Sequence, residues 1–289
     1  MLQFQRAQRS AVKLKILLTG PSGAGKTLGA LRIAEGIAPG KIALIDSEND
    51  RSAYHADRLE FDVLSLTDHR PSSYMAALDA AVAGGYQVVV IDSISHAWSD
   101  VLDRKSAYDA SAPNSNSWAN WRTFSAEWER LVRHILDAPI HVIATARSKQ
   151  SYQQTEENGR KRIVKQGMAP IAKDGLEYEF ALHFDLLISH VARALKDNTG
   201  MFDGGAAELY DLCDGSVPAA LREWMSTAKP VEVPADETMV AIEEAIGALP
   251  EAKVPAVRRR WTSRLRGGLN DGDARVVLAA IQGMAAAVA

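Results

Sequence analysis

Apolar positions change period at intervals along the chain. Residues 15–19 (KILLT) form a short apolar run ending in Gly-Pro-Ser-Gly, and the stretch after it places Leu28, Leu31, Ile33, Ala34 and Ile37 at helical spacing. Strand, glycine loop and helix are expected in that order. Residues 41–46 (KIALID), 87–92 (QVVVID) and 140–145 (IHVIAT) are continuous apolar runs, and the first two end in a carboxylate. Continuous rather than alternating apolarity suits strands covered on both faces of a parallel sheet. Helical patterns over residues 72–83 and 118–136 separate these strands, so the pattern predicts a doubly wound α/β core with a mostly parallel sheet.

After Thr145 the character changes. Residues 151–155 and 160–164 flank Asn158-Gly159, a pair that supplies positive φ at a tight turn, and are expected to form a β-hairpin. Residues 176–180, 184–189 and 191–196 read as further strands, the last pairing antiparallel with the one before it, which makes the late sheet mixed. Residues 217–228 form a helical pattern with Pro218 in its first turn. A proline-bearing stretch, residues 229–236, reads as a linker. The expected organisation is a large core over residues 1–228, that linker, and a small helical domain over residues 237–289. Residues 106–120, rich in Ser and Asn, read as a long connection.

Composition narrows the setting. The chain has 289 residues, 47% apolar and 24% charged, an ordinary globular balance with enough apolar material for a proper core. Its single cysteine, Cys213, excludes an internal disulfide framework and a multi-cysteine zinc site. No run of about 18 uncharged apolar residues is present, so a cytoplasmic protein with no membrane association is expected. A net charge of -3 leaves nucleic acid open, because a basic groove can sit on an acidic protein.

The sharpest chemical signal is Gly20-Pro21-Ser22-Gly23-Ala24-Gly25-Lys26-Thr27, a full match to G-x-x-x-x-G-K-[ST] between an expected strand and an expected helix. Glycines let backbone N–H groups curl around phosphates, and the helix N-terminus adds a positive dipole end. Lys26 is placed to reach the β- and γ-phosphates, and the Thr27 hydroxyl to ligate Mg²⁺, so ATP and Mg²⁺ are the expected cofactors. Asp92, at the end of its strand, is the expected carboxylate for the Mg²⁺ water shell. Ser93 follows it, so the residue that orients the attacking water must lie elsewhere. Glu48, two residues past the second strand, is the candidate.

Together these features resemble the RecA-like class of P-loop ATPases, in which an Ile-Asp-x-Glu stretch carries the water-activating Glu and Ser follows the metal-site Asp. Asp46-Ser47-Glu48 and Asp92-Ser93 match that pattern. More narrowly, residues 143–149 (IATARSK), 167–180 (GMAPIAKDGLEYEF) and 196–204 (KDNTGMFDG) resemble phage-encoded RecA-core ATPases of single-strand annealing and recombination. The resemblance covers residues 13–228. It implies a polar sensor of the γ-phosphate at Thr145 and Arg147; where the class carries an aromatic on the adenine this chain has His55, a departure that leaves the stacking to Tyr54 beside it. One departure concerns catalysis in trans: Asn198 stands where the family pattern has Arg, which passes a finger role to Lys196 or Arg193.

The same resemblance implies single-stranded DNA as a partner, held by a basic groove with aromatic platforms. Arg147, Lys149, Tyr152, Arg160, Lys161, Arg162 and Lys165 fall where the DNA loop of the class lies. Trp118, Trp121, Phe124 and Trp128 have helical spacing and read as a core-facing stripe. Arg258, Arg259, Arg260, Arg264 and Arg266 surround Trp261 on an expected helix that could meet phosphates or an acidic partner. The expected function is a DNA-dependent ATPase of annealing or strand exchange, a homo-oligomer with ATP between protomers, with a single-strand-binding protein as a further candidate partner. The alternatives are a recombination mediator that uses ATP as an assembly switch and, less favoured by Glu48 and Asp92-Ser93, a small-molecule kinase.

Overall fold

The computed structural model describes residues 9, 12–112, 116–157, 160–202, 208–228, 236–250, 254, 257 and 271–286, with side chains for all of these except 150–157, 160–167, 236, 237, 239, 271–273 and 284–286. They fall into two compact units, one within Lys13–Trp224 and the other comprising Met1–Val12 and Met225–Ala289. In the first unit, β1 (Lys15–Gly20), β2 (Ile42–Asp46), β3 (Asp62–Ser65), β4 (Val88–Asp92), β5 (His141–Glu157), β6 (Arg160–Pro170), β7 (Leu182–Leu186) and β8 (Ala192–Asp197) build one sheet in the order β3-β2-β4-β5-β1-β7-β8, with β6 paired to β5. The pairings among β1 to β5 and of β1 with β7 are parallel; β8 and β6 are antiparallel additions. This is the mostly parallel α/β core with late antiparallel strands that the sequence predicts.

Helices α1 (Lys26–Ile37), α2 (Pro71–Ala83), α3 (Ile94–Ser111), α4 (Ser117–Asp137), α5 (Leu176–Glu179) and α6 (Ser216–Ser226) complete the unit. β1, β2 and β4 are buried at every position, as their unbroken apolar runs require. β3, absent from the expected strands, is the exposed edge. One face of the core gathers Leu17, Tyr74, Leu78, Trp128, Leu131 and Phe180. Trp98 lies edge-on to both Trp121 and Trp128, with ring centroids 5.8 and 5.2 Å apart. The expected aromatic stripe of α4 is therefore in the core at Trp121, Phe124 and Trp128, while Trp118 is 75% exposed.

Two expected elements are corrected. Residues 176–180 form the single-turn α5 instead of a strand. Gly175, at φ 91, turns the chain into it, and the buried side chains are Leu176 and Phe180, four residues apart, a spacing that fits a helical turn as well as a strand. Nor is the stretch 106–120 a long loop. α3 continues to Ser111, supported by i,i+4 ion pairs Arg104–Asp100 at 2.7 Å and Lys105–Asp109 at 2.5 Å. Asn116 then opens α4, its Oδ1 accepting from the N–H groups of Trp118 and Ala119.

The second unit has its own apolar cluster, in which Ile242 and Ile246 of α7 (Asp236–Gly247) meet Ala274, Val277 and Ile281 of α8 (Asp271–Ala286). The expected linker, apart from Asp236, and the arginines around Trp261 lie outside the described residues. Among the described residues, no helix is long and apolar enough to cross a membrane.

Candidate active site

All the chemistry collects at the C-terminal ends of the parallel strands, where an open α/β sheet offers its crevice. β1 ends at Gly20, and the loop after it leads directly into α1. A Cβ on Gly20 would stand 2.6 Å from the Leu186 carbonyl oxygen, so only glycine lets the loop turn there against β7. Gly23 and Gly25 take φ of 82 and 89, the left-handed region, which turns the loop into the N-terminus of α1. Lys26 folds back over the loop, its Nζ donating to the carbonyls of Gly20 at 2.9 Å and Pro21 at 2.8 Å. Burial pushes the Lys26 ammonium below the usual lysine range, against the pull of Asp92 and Glu48. An ammonium held only by backbone carbonyls is one that an incoming phosphate can recruit.

Asp92 sits beside this loop at the end of β4. Its Oδ2 accepts from Thr27 Oγ1 at 2.6 Å, and its Oδ1 accepts from Thr145 Oγ1. Burial raises the Asp92 carboxyl, while those two hydroxyl donors oppose the rise. A hydroxyl and a single carboxylate side by side, with phosphate and water to fill the remaining positions, is a donor set that suits Mg²⁺. Thr145 itself is fully buried and does not line the cleft. Thr145, expected as a γ-phosphate sensor, turns its hydroxyl to Asp92.

The segment after β2 carries the second carboxylate. Asp46 organises it, Oδ1 accepting from Glu48 N–H at 2.6 Å and Oδ2 from the Ser52 hydroxyl at 2.5 Å. Ser47 ties this segment to β4: its N–H donates to the Asp92 carbonyl at 2.8 Å, and its Oγ accepts from Ser93 N–H at 2.9 Å. The Asp92–Ser93 peptide is cis. Glu48, 13% exposed, is thereby aimed at the loop, and its Oε1 accepts from Arg147 Nε at 2.8 Å. Burial alone would raise the Glu48 carboxyl; the hydrogen bond and charge of Arg147 overcome it and hold the group below the ordinary range.

These groups share one cleft of about 560 Å³. Ser22 to Thr27 form its floor, and Glu48, Tyr54, Asp92 and Arg147 line it. Tyr54 is 85% exposed, an aromatic ring without a packing role. Gly20 and Pro21, expected among the nucleotide contacts, do not line the cleft; they shape the loop and hold Lys26. Lys196 is also outside it, on β8, with Nζ donating to the Tyr178 carbonyl. Lys149 is exposed on β5. The side chains of Tyr152, Arg160, Lys161, Arg162 and Lys165 lie outside the described residues, though the backbone of their hairpin pairs from Ser148↔Pro170 to Glu157↔Arg160.

Sequence reasoning missed several members of the site. Asp46 and Ser47 stood inside a recognised motif with no role assigned. Arg51, 3.7 Å from Glu48 across an ion pair, had only its proximity to Glu48 as a signal. His190, whose Nδ1 would stand 3.4 Å from a Cβ on Gly25, and the stretch Asp211-Leu212-Cys213 also line the cleft, and neither carries a motif.

Residues 12–207, most of the first unit, match the family model described as AAA domain. Comparison with curated protein sequences returned no match. Among solved structures, a prototypical ATPase from the type III secretion system of pathogenic bacteria is similar at 14% identity and a TM-score of 0.40, over 95% of this chain and 81% of that one. The glycine-rich loop, Asp92 and Glu48 all fall inside the matched segment, and the chain belongs to the AAA-domain family of P-loop ATPases.

Proposed function

We propose that this ATPase binds single-stranded DNA and couples Mg²⁺-dependent ATP hydrolysis to annealing or strand exchange, working as a homo-oligomer. The observation that carries the proposal is the continuity of β5. This one 17-residue strand holds Thr145, which orients Asp92, then Arg147, which holds Glu48, and then continues into the hairpin with β6, whose register shifts once, between Ser151 and Tyr152. The hairpin register sets Lys165 opposite Tyr152, and Arg162, Lys161 and Arg160 opposite Thr155, Glu156 and Glu157 toward the turn. A change at Arg147 has a direct mechanical path to a basic, aromatic-bearing arm, the composition expected of a single-strand groove.

Within the cleft, Lys26 and the loop N–H groups hold the phosphates, and Thr27 and Asp92 would hold the cation. Bound Mg²⁺ would neutralise charge on the β- and γ-phosphates. Arg147 turns from Glu48 to the terminal phosphate, and the released Glu48 carboxylate orients water in line with it.

The test is DNA binding by the Arg160→Ala, Lys161→Ala, Arg162→Ala triple variant, measured over a salt series. Three lost phosphate contacts on a single strand reduce the slope of log K against log salt by about 2. An unchanged affinity and slope would remove the hairpin from DNA binding. One observation favours a second reading, in which ATP switches assembly with little turnover: the Glu48 carboxylate is paired with Arg147. DNA binding and ATP-dependent assembly with negligible hydrolysis would select it.

A further inference from the structure

The Thr27–Asp92 pair, Glu48 and Arg147 mark the end of the cleft where the terminal phosphate belongs. All of them follow β1, β2, β4 or β5. The opposite flank of β1 carries β7 and β8, and from that side the cleft is walled by Asp211, Leu212 and Cys213.

This wall is firmly set. Tyr210 exchanges backbone hydrogen bonds with Ala192 at the start of β8, at 2.7 and 2.9 Å, and its ring joins those of Phe184 and Phe202. Two residues on, Leu212 is buried against α1, where a Cβ on Gly29 would stand 3.1 Å from its Cδ1. Gly29 lies one residue past Leu28, where α1 runs on beyond the residues that take the β- and γ-phosphates. A nucleotide held with its terminal phosphate at Glu48 therefore extends its nucleoside toward Leu212. Asp211 and Cys213 stand exposed on either side of that leucine, and Asp211 Oδ1 accepts from Cys213 N–H at 2.8 Å, which fixes the carboxylate at the rim. Leu28, Leu212 and Cys213 give an apolar slot with an acceptor at its edge.

We infer that Asp211-Leu212-Cys213 is the base-reading wall of the nucleotide site: Leu212 and Cys213 lie against an adenine ring, and the Asp211 carboxylate accepts a hydrogen bond from its exocyclic amine. The inference rests on the nucleotide reading of the cleft. A carboxylate acceptor at the edge of an apolar slot rewards a base that brings a donor, by the worth of one hydrogen bond to a charged group.

Cys213 is the chain's single cysteine and is exposed, so it reports on this wall directly. Burial and the charge of Asp211 push its thiol up, so labelling is best followed at mildly alkaline pH. The experiment measures alkylation of Cys213 by N-ethylmaleimide with ATP or inorganic triphosphate present, each shown by calorimetry to be bound. ATP is expected to slow alkylation several-fold and triphosphate to leave it unchanged. Bound ATP with no protection, or equal protection by triphosphate, would overturn the inference while leaving nucleotide binding intact. Failure of ATP to bind at all would instead remove the nucleotide reading itself. A second measurement isolates Asp211. The wild type should bind ATP roughly ten-fold more tightly than purine riboside triphosphate, which lacks the amine. Asp211→Asn keeps an oxygen for Cys213 N–H and should shrink that preference; an undiminished preference would take the amine away from Asp211.

Discussion

Arg147 Nε donates to Glu48 Oε1 at 2.8 Å, joining the proposed γ-phosphate sensor to the proposed water-orienting carboxylate. The pair is partly exposed, at 37% and 13%, and an ion pair of that kind contributes about 1 kcal/mol or less. A terminal phosphate offers Arg147 more charge and more acceptors, in bonds of about 1.5–3 kcal/mol each. Nucleotide therefore outcompetes Glu48 for the guanidinium. Glu48→Gln should keep ATP affinity within a small factor and lower kcat by about 10²–10⁴, the range for loss of a positioned base. A Glu48→Gln protein with wild-type turnover would remove that role.

Arg147 also sets the pH range of Glu48. With Arg147 in place the carboxyl titrates below its ordinary value, so the ion pair is intact at neutral pH and its contribution is lost as pH falls through that depressed value. In Arg147→Ala, burial acts unopposed by that partner, and the Glu48 carboxyl rises. The acid limb of kcat/KM against pH, which reports the free enzyme, should move upward in the variant. An unmoved limb would show that another group governs it.

His183 gives the fold a separate acid sensitivity. Burial, with the charge of Lys196, pushes its imidazole down to about 4, and its Nε2 lies 2.9 Å from the Thr19 hydroxyl next to the phosphate loop. An unfolded histidine titrates near 6.5, so between about 6.5 and 4 the unfolded chain binds a proton that the folded chain refuses. Stability is full above that window and falls as pH drops through it, by about 3 kcal/mol for this one group. His141, also pushed down to about 4 by burial and by Lys13 and Lys15, behaves alike. Denaturant unfolding of His183→Gln across this range should show a shallower loss of stability than the wild type; an equal slope would contradict the buried neutral assignment.

The tryptophans of α4 separate packing from exposure. Trp128, 2% exposed and edge-on to Trp98, should cost about 3–5 kcal/mol when changed to Ala. Trp118, 75% exposed on the same helix, should change stability by about 0.5 kcal/mol or less. Comparable costs at the two positions would mean that the stripe does not face the core as described.

The parallel core was legible because β1, β2 and β4 are covered on both faces, and a strand so covered needs an unbroken apolar run. The phosphate loop was legible because only glycine fits at Gly20 and turns freely at Gly23 and Gly25. β3 escaped because an exposed edge strand needs no such run. α5 was misread because Leu176 and Phe180 satisfy a two-residue and a helical period alike. Ser and Asn near residue 116 suggested a loop, yet Asn116 is a cap, and composition does not distinguish the two. Within the site, single residues at strand ends were readable. Their partnerships were not: Thr145 turned to Asp92, and Arg147 closed on Glu48, through contacts 53 and 99 residues apart in sequence.

If one site hydrolyses ATP and β5 links it to DNA, steady-state ATP hydrolysis with and without single-stranded DNA, at low and moderate salt and beside Lys26→Ala, tests both most directly. The expected result is Mg²⁺-dependent hydrolysis that DNA stimulates, more strongly at low salt, and that Lys26→Ala abolishes. Hydrolysis indifferent to bound DNA would break the link through β5, and hydrolysis surviving in Lys26→Ala would place the chemistry outside this cleft.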